Sequence, residues 1–146
     1  MCMEFAAVAY RSTAVSGLGS DELDHLLVGA RAHNRMEGVT GVLLYDGRHF
    51  FQYFEGEAAG VARIYGRIRA SRLHVDLQEL QHGPVSQLYF RHWYMGCRQT
   101  GNSVLQQLSS QQWRREATAL DGGGADDPPG LQQLRDFWAR QEGVAR

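Results

Sequence analysis

A few side chains able to do chemistry stand where the chain leaves little room for polarity. Tyr10 closes an apolar stretch, Asn34 sits inside an amphipathic helical pattern, and Gln52 is flanked by Phe50, Phe51, Tyr53 and Phe54; Trp93-Tyr94-Met95 follows further on. A phenol can give up a proton or an electron, and a carboxamide presents one donor end and one acceptor end. Buried on regular elements, such groups need partners, because an unpaired one costs about 1–3 kcal/mol. Each has an ordinary structural explanation when taken alone: a packed ring, a satisfied edge amide, a solvated helix asparagine, a core tryptophan. Gathered by one fold, they point to a pocket for a flat polar ligand.

Composition narrows the chemistry further. All 15 basic residues among the 146 are arginine. Without lysine, a Walker-type phosphate loop and a lysine Schiff base are both excluded, while arginine remains available as a bidentate fork for phosphate. Cys2 and Cys97 are too few for a disulfide framework or a zinc site and are expected to be reduced. His25, His49, His82 and His92 show no metal-ligand spacing. A net charge of -1 offers no global field for nucleic acid or an anionic membrane. No apolar run nears the ~20 residues needed to span a bilayer, and the first residues lack a signal-peptide pattern, so a cytoplasmic protein is expected.

The elements that must position these side chains follow from periodicity. Residues 4–11 read as a strand. Ser20, followed by Asp21 and Glu22, is the expected N-cap of a helix in which Leu23, Leu26, Leu27 and Ala30 recur at helical spacing. Gly38 is its expected terminator. Residues 39–45 and 50–54 form two strands joined by the hairpin signal Asp46-Gly47. A second helix over about 57–70 carries Val61, Ile64, Tyr65 and Ile68 on one stripe. A fourth strand is expected over 75–81, broken by Gly83-Pro84, and a fifth over 93–97. The order β-α-β-β-α-β-β is that of an α+β ferredoxin-like sandwich with one extra strand, hence a five-stranded mixed sheet. Both helices belong on one face. The first and third strands are expected to pair in parallel, which would bring Tyr10 beside Gln52, with Asn34 across the gap. After these, a helical stretch from Leu105 is expected to restart past Ser109-Ser110, residues 121–130 form a flexible Gly/Pro connector, and Leu131, Leu134 and Trp138 mark a last helix. These C-terminal helices are expected to cover the other sheet face.

The ordered set Tyr10-Arg11-Ser12, Ala32-His33-Asn34, Val39 to Tyr45, Phe50 to Gly56 and Trp93-Tyr94-Met95 resembles the BLUF family of flavin-binding blue-light sensors. The resemblance implies a sensor domain over 1–98 and a helical extension over 99–146. It implies that flavin, as FAD with FMN or riboflavin as alternatives, lies between the two helices. Tyr10 would be the electron donor, and Gln52 would bridge its hydroxyl to the flavin. Asn34 and His33 would meet the carbonyl side of the ring, Leu26 would pack on it, Arg72 and His74 would lie near the phosphate tail, and Met95 would also touch the cofactor. Trp93 and Met95 would relay the signal. Leu73 stands where the family often has a second basic residue. The 48 residues after Arg98 suffice for two helices only, so the output would be an altered contact with a protein partner or with another copy of the chain, and no enzymatic step is expected. Two other readings share the sandwich: a flavin-free interaction module, and an acylphosphatase-like hydrolase, for which Arg11 and Ser12 are a weak start. A flavin redox enzyme is a further alternative, for which no substrate-binding domain remains.

Overall fold

Side-chain alternation along the central strands decides the architecture: Phe50, Gln52 and Phe54 must face one way, and Phe51, Tyr53 and Glu55 the other. A computed structural model describes residues 4–15, 19–97, 103–120 and 129–141. In chain order the elements are β1 (Phe5–Ala14), α1 (Ser20–Met36), β2 (Thr40–Tyr45), β3 (His49–Glu57), α2 (Ala58–Ala70), β4 (His74–Val85), β5 (Trp93–Cys97), α3 (Val104–Leu120) and α4 (Pro129–Gln141). The strands form one sheet in the order β4-β1-β3-β2-β5. Only the β2–β5 pairing is parallel, so the sheet is mixed, as expected.

Both sheet faces are covered. On one, Val8, Tyr10 and Phe54 pack against Val61, Ile64 and Tyr65 of α2, while Leu43, Phe50 and Met95 pack against Leu23 and Leu27 of α1. On the other, Ala7, Ala9, Phe51 and Tyr53 meet Trp113 of α3 and Leu131, Leu134 and Phe137 of α4. Two glycines allow the helices this close. A Cβ on Gly96 would stand 2.6 Å from the Trp113 ring, and one on Gly130 would stand 2.5 Å from Ala9. The start of α3 also reaches the first face: Asp24 of α1 accepts from Ser103 Oγ at 2.8 Å and Gln106 Nε2 at 2.7 Å.

Several local expectations are corrected. β1 and β3 are antiparallel, because the α1 crossover makes β1 parallel to β2 and β3 returns between them by a hairpin. The N-cap of α1 is Gly19, whose N–H donates to Glu22 Oε1 at 3.2 Å, so Ser20 is already helical. At the hairpin, Asp46 N donates to the His49 carbonyl at 3.1 Å, and the two-residue loop is Gly47-Arg48 with Gly47 at φ 98°. β4 runs through Gly83-Pro84, which pair with Ala7 and Ala6; as an edge strand it tolerates a proline. α3 is continuous past Ser109-Ser110, both of which are buried, and Ser109 Oγ accepts from Arg31. Gly38, at φ 68°, does end α1. Residues 121–128 of the expected connector, Cys2 and the side chain of Cys97 lie outside the described residues.

Candidate functional site

The antiparallel register sets Tyr10 of β1 directly opposite Gln52 of β3. Both point to the α1/α2 face and are almost fully buried, at 3% and 4% exposure. Tyr10 Oη donates to Gln52 Oε1. The carbonyl end of the amide is therefore taken by the phenol, and its donor end is the one left to address a ligand. Burial, and secondarily the neighbouring Tyr65 phenol, pushes the Tyr10 hydroxyl far above the ordinary phenol range. Tyr10 holds its proton at every physiological pH.

Above this pair, α1 and α2 diverge around a cleft with about 280 Å³ of free space. Its floor is Tyr10, Leu43, Phe50 and Gln52. One wall is the α1 face carrying His25, Leu26, Gly29, Ala30, His33 and Asn34; the other is the α2 stripe Ile64, Arg67, Ile68 and Ser71, with Leu73 and His74 beyond it. No carboxylate is among these lining residues. Asn34, only 2% exposed, leaves its Nδ2 buried and without a partner among the described residues. A lone donor in that position costs stability unless something in the cleft accepts from it. Apolar walls, a floor with a free amide donor and an unmatched asparagine donor together fit a flat ring edged with carbonyls and ring nitrogens.

The structure thus brings Tyr10, Gln52, Asn34, His33, Leu26 and His74 around one cleft. His74 is already engaged: its Nε2–H donates to the Ile68 carbonyl at 2.8 Å, and Nδ1 faces Ser12 Oγ at 2.7 Å. Arg72 does not line the cleft. Met95 lies buried beneath it with Leu43 and Phe50, and Trp93 joins the two packing clusters of the same face. The Trp93 indole N–H is buried without a partner among the described residues.

Residues 5–96 match the family described as "BLUF: Sensors of blue-light using FAD". The chain belongs to the BLUF family. It is similar to the blue light- and temperature-regulated antirepressor BluF of Escherichia coli (strain K12), with 34% identity over 49% of this chain and 18% of that protein. It is also similar to the photoactivated adenylate cyclase subunit alpha-like protein FB of Euglena gracilis, with 32% identity over 45% of this chain and 6% of that protein. The chain thus spans less than a fifth of the length of either curated relative. The fold of BlrB, a BLUF protein in its dark state, superposes over 100% of both chains with a TM-score of 0.66 at 22% identity. This is a blue-light sensor module using flavin. Among the described residues no helix is long and apolar enough to cross a membrane.

Three residues of this BLUF domain escaped the sequence reading. Arg67 lines the cleft, and its Nη2 donates to His33 Nε2 at 2.7 Å, tying α2 to α1. Arg67 lies one turn after Ile64 at the exposed edge of the α2 stripe, where the sequence alone reads it as a solvated charge. Glu55 and Thr40 act on the other side of the sheet. A carboxylate two residues after Tyr53, in a strand apolar on both faces, marks a buried charge.

Proposed function

We propose that the cleft holds FAD, that Tyr10 and Gln52 form its light-driven switch, and that Trp93 and Met95 carry the result to a protein contact in the cytoplasm. The buried, unmatched Asn34 Nδ2 carries this reading. Asn34 would donate to a carbonyl of the ring, Gln52 would turn its amide donor to the ring edge, and Leu26, Ile64 and Ile68 would clasp the ring faces. Arg67 and His33, rather than Arg72, stand at the cleft for the anionic tail. Bound flavin supplies the absorption of blue light and, once excited, an acceptor for one electron.

The chain's own contribution is a wire of one hydrogen bond. Tyr10 keeps its proton in the dark because burial disfavours phenolate, so loss of an electron from the ring must be coupled to loss of the proton at Oη. That proton already faces Gln52 Oε1. Rotation of the Gln52 amide, or exchange of its proton positions, then reverses which end faces Tyr10 and which faces the ligand. The rearranged bond perturbs the next residues outward, Met95 and Trp93. Met95 can repack through its flexible thioether, and the Trp93 N–H, unpaired among the described residues, can gain a partner in a second packing. The output is an altered contact with a partner protein or a second copy, with no catalytic step in this chain.

Purified protein is expected to be yellow, to shift its absorption to the red under blue light, and to recover in the dark. A colourless protein would instead favour a flavin-free interaction module, and bleaching in the presence of an electron donor and substrate would favour a redox enzyme.

A further inference from the structure

We propose that Glu55, acting with Thr40, is a positioning residue for the light response, holding the peptide of Phe90 so that β5 presents Trp93 and Met95 to the cofactor face. This rests on the relay reading of Trp93 and Met95 given above. Glu55 has no exposed surface, and it lies on the sheet face turned away from the cleft. Its Oε2 accepts from the backbone N–H groups of Tyr89 at 2.5 Å and Phe90 at 2.7 Å, and its Oε1 accepts from Tyr53 Oη at 3.2 Å. Thr40 is its cross-strand neighbour, and Thr40 Oγ1 donates to the Phe90 carbonyl at 2.9 Å. Phe90 is therefore gripped at its N–H and at its C=O by two adjacent residues of the sheet.

That grip sits just before the strand that carries the relay. Gly41 N donates to the His92 carbonyl at 3.2 Å, and Gly41 pairs with Trp93, Leu43 with Met95. Strand side chains alternate, so a one-residue slip of β5 would move Trp93 and Met95 to the α3 side and put Tyr94 and Gly96 in their place. A buried carboxylate is a costly way to fix a turn, since Phe90 could have been anchored by neutral groups. What it adds is a hold that changes with its protonation. A charge-assisted bond to a backbone N–H is roughly twice as strong as a neutral one. Burial raises the Glu55 carboxyl to about 7, opposed by the bonds from Phe90, Tyr89 and Tyr53. Among the described residues Tyr53 is the one titratable side chain bonded to it, and its neighbours Ala7 and Thr40 across the strands carry no charge. Protonation weakens the grip, and a looser turn lets β5 return more readily between its two packings.

The test compares dark-recovery rates of the flavin-loaded wild type, Glu55→Gln and Thr40→Val at about pH 6 and about pH 8. Glutamine copies the shape of the protonated carboxyl. Recovery of Glu55→Gln is expected to be about fivefold faster than wild type at the higher pH, the scale of exchanging a charge-assisted bond for a neutral one, and equal to it at the lower. Taking the ratio of the two rates at each pH isolates the effect of position 55. A ratio that does not change with pH would overturn the proposal, because it would make Glu55 a plain packing residue. Thr40→Val should speed recovery at both pH values while keeping the wild-type pH dependence. If Glu55→Gln does not fold, wild-type recovery rates in Thr40→Val overturn the proposal alone. Absence of any red shift in the wild type would instead sink the sensor reading on which it rests.

Discussion

The two faces of the sheet solve opposite problems with the same strands. Under α3 and α4 lies an aromatic core in which Trp113, Phe51, Tyr53 and Phe137 are almost fully buried and fill the space between layers. Under α1 and α2 the strands present a phenol and an amide to a cleft, and α1 adds an asparagine whose N–H group nothing among the described residues satisfies. The first face is closed by packing, and the one buried donor it leaves unmatched among these core side chains, the Trp113 indole N–H, is enclosed by that packing and borders no cleft. The second leaves an open cleft edged by polar groups, which the proposed flavin would fill. β5 is common to both, with Trp93 and Met95 on the cleft side and Gly96 beneath Trp113.

Damage to the filled face should cost stability and leave the chemistry alone. Trp113→Ala is expected to lower unfolding free energy by about 3–5 kcal/mol, measured by urea denaturation, with the flavin spectrum of the remaining folded protein little changed. Glu55, at the edge of this face, should contribute a pH dependence of known sign. Its folded-state pKa of about 7 lies above the usual 4.5, so the folded state binds the proton more readily between those values. Stability from this group is therefore highest below about pH 4.5, declines as pH rises towards 7, and is constant above. Across that window each pH unit is worth about 1.4 kcal/mol, which sets an upper bound of about 3 kcal/mol. Denaturation at about pH 5 and pH 8 should show this slope in the wild type and lose it in Glu55→Gln.

The cleft should respond in the reverse sense. Asn34→Leu removes a buried donor that has no partner among the described residues, so the flavin-free protein should be no less stable. Flavin affinity should fall about tenfold or more, read by quenching of flavin fluorescence, because the ring loses one hydrogen bond worth about 1–3 kcal/mol. A loss of stability without a loss of affinity would show that Asn34 serves the protein and not the ligand.

The contrast also explains what the sequence disclosed. Strand alternation through Phe50, Gln52 and Phe54, the α2 stripe from Val61 to Ile68, and Gly38 at the end of α1 were legible because each is a local periodicity or a backbone requirement. The chain order of elements led to the sandwich. Pairing direction was less legible: periodicity within β1 and β3 says nothing of their relative direction, which the hairpin after β2 determines. Gly83-Pro84 read as a break because the proline rule for strands depends on being at an edge, a tertiary fact. Of the site, the residues whose polarity conflicts with their surroundings stood out. Arg67 did not, since an arginine on an amphipathic helix looks solvated until the partner helix brings His33 to it. Glu55 and Thr40 meet the Phe90 turn across 35 and 50 residues of sequence, and no local pattern encodes that distance.

The most direct test of the switch is the light-minus-dark absorption spectrum of Gln52→Leu beside that of the wild type. Leucine fills the same space and removes both ends of the bridge, so the variant should bind flavin and show no red-shifted state, while the wild type shifts and recovers. A Gln52→Leu protein that shifts to the red and recovers as the wild type does would contradict the account.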